Sequence, residues 1–233
     1  MGRVVAIAGG DLSSTRELNM HTIKLANKSN PNVLFIGTAS GDTEGYIEAI
    51  TNAFNLLKCE VKPLCLCSKE YDDKEIDSLL SWADIIYVGG GDTVSMIQIW
   101  KQHRLDVKLK RIYEKDLAVL TGLSAGAICW FNCGHSDSES FNEEDNCNYC
   151  WANGMLDIFH IAYCPHYNEE GRNSFDEMIV EKDMPGLAME NNTAFVENNG
   201  KQYFIRSMPN ATAYSIQYIN NIIQKREVEF ANI

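Results

Sequence analysis

A β-type run that ends in a glycine-flanked serine constrains the fold of this chain more than any other part of its sequence. Residues 116–130 read Asp-Leu-Ala-Val-Leu-Thr-Gly-Leu-Ser-Ala-Gly-Ala-Ile-Cys-Trp, an apolar run followed at once by a helix-compatible segment. A strand that turns sharply into a helix strains the residue at the turn and exposes its side chain. Any side chain at Gly122 or Gly126 would collide with the neighbouring strand or the helix start. The pattern predicts Ser124 as a nucleophile, although a strand-to-helix turn with an N-capping serine has the same residues.

Short apolar runs alternate with amphipathic helical stretches from the start of the chain to about residue 190. This alternation is typical of a mostly parallel sheet covered by helices. Apolar residues recur at three- and four-residue spacing over 44–57 and 94–103, which predicts helices there. The strands predicted from the apolar runs are 4–8, 33–37, 60–66, 85–88, 117–121, 160–164 and 187–190.

The last quarter of the chain has a different pattern, with short β-runs at 193–196 and 202–205. Residues 213–218 alternate in period two, Asn220 and Asn221 supply a turn, and 222–230 alternate behind it, which predicts a β-hairpin or meander. The expected fold class is therefore α/β, a mostly parallel sheet flanked by helices with a C-terminal hairpin. Since the 233 residues contain no repeat or linker, one domain over 1–233 is expected.

The charge balance is strongly acidic, with a formal net charge of -12. Such a chain repels phosphate backbones and anionic membranes, so neither nucleic acid nor a membrane is expected as a partner. The run Val4 to Ala8 is too short for a signal-peptide core and is typical of a first buried strand, and no apolar run reaches membrane-spanning length. Cysteines inside apolar runs agree with a reducing compartment, so the predicted location is cytoplasmic.

The longest irregular stretch lies at 135–154 and contains the pair Cys147 and Cys150. With His160, Cys164 and His166 nearby in sequence, this pair is a candidate zinc site. Structural zinc sites usually bring two close pairs of ligands, and here the second pair would have to come from inside a strand. Reduced thiols in a loop are the favoured interpretation, and no metal is expected. Loops this long are commonly site walls or lids, and surface decoration is equally compatible with the sequence.

Candidate functional residues follow the predicted strands, at the edge where open α/β sheets bind ligands. They are the Gly89–Thr93 turn, Ser124, the Pro165-His166 pair and Glu190. The first N–H groups of the helix after Ser124 lack intrahelical partners, so the Ala125 N–H is a candidate oxyanion donor. The triple glycine lets a second N–H, near Gly91, approach a reacting carbonyl. A phosphate-binding loop is the competing interpretation, but GxGxxG and a following lysine are absent.

Serine needs a base within hydrogen-bond reach, normally a histidine that a carboxylate orients. Of the five histidines, His166 alone lies directly beyond the end of a predicted strand. For the carboxylate, Glu190 fits the strand-end position, and Asp137 is close enough in sequence to the serine helix to reach as well. Glu190 is favoured, and Asp137 stays open.

Four segments in order, GGGDT, GLSAGA, PH and GLAMEN, resemble the peptidase E (aspartyl dipeptidase) and cyanophycinase family of serine peptidases. The resemblance spans about residues 1–230 and implies a flavodoxin-related fold like that of class I glutamine amidotransferases, without a cofactor. It implies a Ser-His-Glu triad in that chain order. The residues that match are Ser124, His166 and Glu190 for the triad, and Gly91 and Ala125 for the oxyanion hole.

The same resemblance implies that an arginine after the histidine segment helps to hold an acidic substrate side chain, and Arg172 matches it. Asp92 departs from the family, since several members have Asn there, and a carboxylate near the pocket would repel an acidic substrate. Asp92 and Asp137 are the other candidates for contact with substrate. The carboxylate at position 92 puts the cleavage of Asp-X dipeptides in doubt.

The sequence as a whole predicts a serine exopeptidase that acts on short peptides through an acyl-enzyme, as a monomer or homodimer. An α/β-hydrolase esterase shares the GxSxG elbow, but its acid precedes a C-terminal histidine, and no histidine follows His166 here. A catalytically silent ligand-binding homologue is the alternative from another class.

Overall fold

Two β-sheets carry the strands of the chain, and the computed structural model describes residues 2–141 and 149–232. The strands are β1 (Arg3–Ile7), β2 (Asn32–Ile36), β3 (Glu60–Leu64), β4 (Ile85–Val88), β5 (Val119–Leu123), β6 (Phe131–Ser136), β7 (Cys150–Asn153), β8 (Phe159–Cys164), β9 (Gly186–Met189), β10 (Thr193–Asn198), β11 (Lys201–Arg206), β12 (Ala213–Ile219) and β13 (Ile222–Glu227). The helices are α1 (Arg16–Ala26), α2 (Glu44–Leu56), α3 (Asp73–Trp82), α4 (Thr93–Gln102), α5 (Leu105–Glu114), α6 (Ala125–Ile128) and α7 (Phe175–Met178).

The first sheet has seven strands in the order β11-β10-β1-β5-β4-β2-β3. Five neighbouring strands are parallel to one another, namely β1, β5, β4, β2 and β3. Strands β10 and β11 extend the sheet beyond β1, and each is antiparallel to the strand before it in the sheet. Strands β1 and β4 are buried along almost their whole length, as expected for parallel strands that are covered on both faces. The predicted helices at 44–57 and 94–103 agree with α2 and α4 to within a residue at each end.

The second sheet has six strands in the order β13-β12-β9-β8-β6-β7. Strands β6, β8 and β9 are parallel, and the other three are antiparallel to their neighbours. The predicted C-terminal hairpin is present as β12 and β13, and Asn220 and Asn221 turn it with φ of 52° and 62°. Positive φ at both turn residues is the geometry that matches the twist of a hairpin.

The sequence predicted one sheet, and this was wrong for the runs at 160–164 and 187–190, which form β8 and β9 of the second sheet. The reason is the short α6, after which the chain enters β6 and begins another sheet. Strands β6 and β7 also correct the expectation of an irregular stretch at 135–154, since its described ends are paired. The two sheets share a core, in which Phe131 stacks on Tyr163 at 4.2 Å and lies 5.8 Å from Phe195.

Within residues 2–141 and 149–232, no helix combines the length and the apolar character that a membrane crossing requires.

Candidate active site

Ser124 lies at a strained turn between β5 and α6. Its φ and ψ are 57° and -112°, a conformation that costs free energy for any residue with a Cβ. The Ser124 N–H donates to the Ile7 carbonyl of β1 at 3.1 Å, which anchors the turn to the centre of the first sheet. The serine therefore has the elbow geometry that the sequence predicted.

The glycines that flank Ser124 are steric requirements of this elbow. A Cβ on Gly122 would lie 2.3 Å from the Gly126 carbonyl oxygen, and a Cβ on Gly126 would lie 2.1 Å from the Val88 carbonyl oxygen. Real Cβ atoms do not approach backbone oxygens so closely, so a side chain at either position would push β4, β5 and α6 apart. The glycines thus hold Ser124 tightly against β4.

His166 lies directly after β8 and reaches the serine. Its Nε2 is 2.8 Å from Ser124 Oγ, and only 16% of its side chain is exposed. Burial lowers the pKa of His166, and the nearby Glu169 carboxylate raises it in part. The imidazole is therefore neutral near pH 7, the form that can accept a proton from Ser124.

The other ring nitrogen of His166 faces Asn191 and Glu169. His166 Nδ1 lies 2.7 Å from Asn191 Oδ1 and 3.1 Å from Glu169 Oε1. Asn191 Nδ2 in turn donates to Glu169 Oε1 at 2.9 Å. If His166 Nε2 accepts a hydrogen bond from Ser124, Nδ1 carries the ring proton and donates a hydrogen bond to this pair. This hydrogen bond fixes the tautomer of His166.

Glu190, which the sequence favoured as the orienting carboxylate, faces away from this pair. Glu190 Oε2 accepts the Thr212 N–H at 3.0 Å, and the Glu190 N–H donates to the Thr212 carbonyl at 3.1 Å. Successive side chains of an extended segment point to opposite sides, so Asn191 rather than Glu190 meets His166. The expected contact between Glu190 and His166 is thus absent from the structure.

Sequence reasoning missed both Asn191 and Glu169. A signal for Glu169 exists, since it is a carboxylate three residues after the candidate base, and its N–H closes a turn on the His166 carbonyl at 2.8 Å. Asn191 carries no such signal, because an asparagine next to Asn192 is typical of a turn.

Asp137, the alternative orienter, pairs with Arg172 instead. Arg172 Nη2 lies 3.1 Å from Asp137 Oδ2, and Nη1 donates to the His135 carbonyl at 3.0 Å. Arg172 is 2% exposed, and its guanidinium lies 4.5 Å from the centre of the Tyr149 ring. The Asp137 carboxylate is therefore hydrogen-bonded to Arg172 rather than to His166.

His135 lies inside β6 and is fully buried. Its Nε2 is 3.0 Å from Ser174 Oγ, and its ring stacks on Tyr149 at 4.5 Å. Burial, with the charge of Arg172, lowers the pKa of His135 to about 3. This histidine is a neutral part of the wall that supports Arg172.

The triple-glycine turn passes beside the serine. A Cβ on Gly90 would lie 3.4 Å from Ser124 Cβ, and Gly91 has a φ of 136° with the Ala39 carbonyl oxygen 2.1 Å from where its own Cβ would be. In the described part of the chain, neither the Gly91 N–H nor the Ala125 N–H donates to a protein acceptor. Both donors that the sequence singled out are free to bind an oxyanion.

Asp92 caps helix α4. Its Oδ1 accepts the N–H groups of Val94 and Ser95 at 3.0 and 3.2 Å, and its Oδ2 accepts the Ser95 hydroxyl at 2.5 Å. These hydrogen bonds give partners to backbone N–H groups in the first turn of α4, which have none inside the helix. Asp92 is thus the N-cap of its own helix, and contact between its carboxylate and substrate stays a prediction.

No group of three His, Cys, Asp or Glu side chains suited to a metal ion occurs in the ranges that the structure covers. Cys147 lies outside the described residues. Cys150, on β7, is a half-buried free thiol.

The fold and sequence are similar to those of known peptidases. Residues 4–205 match the model of Peptidase family S51. The chain is 30% identical over 223 residues to the uncharacterized peptidase YgaJ of Bacillus subtilis (strain 168), which covers 93% of this chain and 92% of that protein.

Two crystal structures share the fold, each with a TM-score of 0.65. One is a protein from Listeria monocytogenes EGD-e that is provisionally named a peptidase E, with 21% identity over 88% of this chain and 98% of that one. The other is a peptidase from an acI-B1 Actinobacterium, with 19% identity over 99% and 97%. They confirm the expected α/β class, and the family match identifies the chain as a serine-type peptidase that belongs to peptidase family S51.

Proposed function

We propose that this peptidase is an exopeptidase that hydrolyses short peptides through an acyl-enzyme on Ser124. The observation that carries the proposal is the 2.8 Å contact between His166 Nε2 and the hydroxyl of a serine held at a strained elbow. A neutral imidazole at hydrogen-bond distance is what an otherwise weak serine nucleophile requires. The two free N–H groups beside it supply the other half of acyl-transfer chemistry.

In the acylation step, Ser124 Oγ attacks the scissile carbonyl while His166 Nε2 takes the hydroxyl proton. The negative charge that develops on the carbonyl oxygen is stabilised by the N–H groups of Ala125 and Gly91. His166 then gives its proton to the leaving amine as the C–N bond breaks. The part of the substrate on the N-terminal side remains as an ester on Ser124.

In the deacylation step, water takes the place of the leaving amine. His166 Nε2 removes a proton from this water, the hydroxide attacks the ester carbonyl, and the same two N–H groups bind the second oxyanion. The proton returns to Ser124 Oγ as the ester bond breaks. The enzyme is regenerated and a free carboxylic acid leaves.

Asn191 and Glu169 together take the role of the orienting acid in this proposal. Asn191 Oδ1 accepts the Nδ1 proton of His166 at 2.7 Å and holds the productive tautomer. Glu169, 3.1 Å from Nδ1, supplies the negative charge that stabilises the imidazolium formed in each step. The catalytic set is therefore Ser124, His166, Asn191 and Glu169, in place of the Ser-His-Glu triad with Glu190.

Short peptides as substrates, and cleavage next to a free terminus, are supported by the motifs shared with peptidase E and by the name of the Listeria relative. Incubation with free dipeptides and tripeptides, with N-acetylated and C-amidated forms as controls, and with p-nitrophenyl acetate tests this part. We expect free amino acids from the unblocked peptides and cleavage at least about 100-fold slower where the recognised terminus is blocked. Ester turnover without peptide turnover would favour an esterase, and cleavage inside long blocked peptides would contradict the exopeptidase assignment.

A further inference from the structure

The guanidinium of Arg172 is enclosed by protein atoms. Only 3% of its side chain is exposed, Nη2 is paired with Asp137, and Nη1 donates to the His135 carbonyl. Tyr149 covers one face, and Nε is buried without a partner within the described residues. A substrate carboxylate could reach this cation only by displacing Asp137.

Asp137 lies between two segments of the active site. Its neighbours Ser136 and Ser138 contact the start of α4, at Thr93 Oγ1 and the Val94 N–H, directly after the triple-glycine turn. Its other partner, Arg172, follows the His166 segment in sequence and acts electrostatically on His166. Since 45% of the Asp137 side chain is exposed, its carboxylate also faces the solvent.

Two further carboxylates flank His166 and Asp137 in this part of the structure. Glu169, 49% exposed, lies at His166, and Glu139 is exposed on the turn after Asp137. Within residues 2–141 and 149–232, neither Glu169 nor Glu139 forms an ion pair with a lysine or arginine. Such a field repels a carboxylate and attracts an ammonium group.

We propose that Asp137 is a specificity-determining residue that makes this site reject acidic N-terminal side chains and accept neutral or basic ones. The inference rests on the proposed peptidase function, whose substrate class it specifies. It reverses the expectation that Arg172 holds an acidic side chain, because the charge of Arg172 is committed to Asp137. The substrates are short peptides with a free ammonium and, best, an N-terminal lysine or arginine.

The test compares kcat/KM for Lys-Leu, Ala-Leu and Asp-Leu in the wild type, in Asp137→Asn and in Glu139→Gln. In the wild type we expect Asp-Leu to be at least about tenfold poorer than Lys-Leu. Asp137→Asn frees the charge of Arg172 and should raise the Asp-Leu to Lys-Leu ratio by about tenfold or more. Glu139→Gln also removes one negative charge, but Glu139 is not paired with Arg172 within the described residues. This variant should therefore change the Asp-Leu to Lys-Leu ratio by less than about threefold.

A wild type that prefers Asp-Leu, or a ratio unchanged in Asp137→Asn, would overturn the inference while leaving the peptidase proposal standing. Calorimetric binding of the same dipeptides to Ser124→Ala separates specificity from turnover and does not depend on the folding of Asp137→Asn. Tighter binding of Lys-Leu than of Asp-Leu supports the inference even if no dipeptide is hydrolysed. Equal binding, or none, contradicts it.

Discussion

Replacing Ser124 with alanine is expected to lower kcat/KM for dipeptides by about 10⁴-fold or more. The substitution removes the atom that attacks the scissile carbonyl and leaves the two oxyanion donors, so only a weak water reaction remains. The elbow itself should persist, because Gly122 and Gly126 pack against β4 whatever residue 124 carries. Thermal unfolding should therefore be nearly unchanged.

The matched control is Ser78→Ala, which removes an exposed hydroxyl on α3 and should leave the rates as they are. The measurement is steady-state kinetics on the preferred dipeptide with protein purified in parallel. A Ser124→Ala variant that keeps more than about a tenth of the activity would exclude the acyl-enzyme, since a lost nucleophile costs far more.

Glu169→Gln is expected to lower kcat by about 10² to 10⁴-fold, with a smaller change in KM. Glutamine keeps the shape of the side chain and loses the negative charge that stabilises protonated His166. Asn191, still 2.7 Å from Nδ1, would hold the ring but cannot supply the charge. The effect should appear in the chemical step rather than in binding.

The pH profile of Glu169→Gln gives a readout that a merely structural role would not move. His166 must be neutral to act as the base, so activity falls as the pH drops through its pKa. Burial lowers this pKa and the Glu169 carboxylate raises it. Removing the carboxylate lowers the pKa further, so the acid limb of kcat/KM should shift to lower pH.

Glu190→Gln is the matched control for Glu169→Gln. The amide oxygen of glutamine can still accept the Thr212 N–H, so we expect turnover within a few-fold of the wild type and an unmoved acid limb. A large loss in Glu190→Gln with near-normal activity in Glu169→Gln would return the orienting role to Glu190.

The elbow could be predicted from the sequence because its signal is local. Two glycines around a serine at the end of an apolar run leave few other conformations. Strand β6, Phe-Asn-Cys-Gly-His-Ser, was not predicted, because its polar residues and glycine hide a strand whose side chains are buried by tertiary packing. The second sheet therefore could not be inferred.

The orienting residues were harder to predict than the nucleophile and the base. Which of Glu190 and Asn191 meets His166 depends on the side to which each points after β9, and a shift of one residue reverses it. The pairing of Arg172 with Asp137 joins residues 35 positions apart. Charge pairs of this kind depend on the packed structure, which a motif does not encode.

His166 is expected to activate Ser124 as a nucleophile, and the rate of reaction with a serine-directed phosphonate measures this activation. The probe is the diphenyl phosphonate analogue of lysine, followed by intact-mass and peptide-mapping mass spectrometry of the wild type and of His166→Ala. We predict one covalent adduct in the wild type, on the peptide that contains Ser124, and at least about 100-fold slower labelling in His166→Ala. Labelling of another residue, or dipeptide hydrolysis by an enzyme whose Ser124 does not react, would show that Ser124 is not the nucleophile.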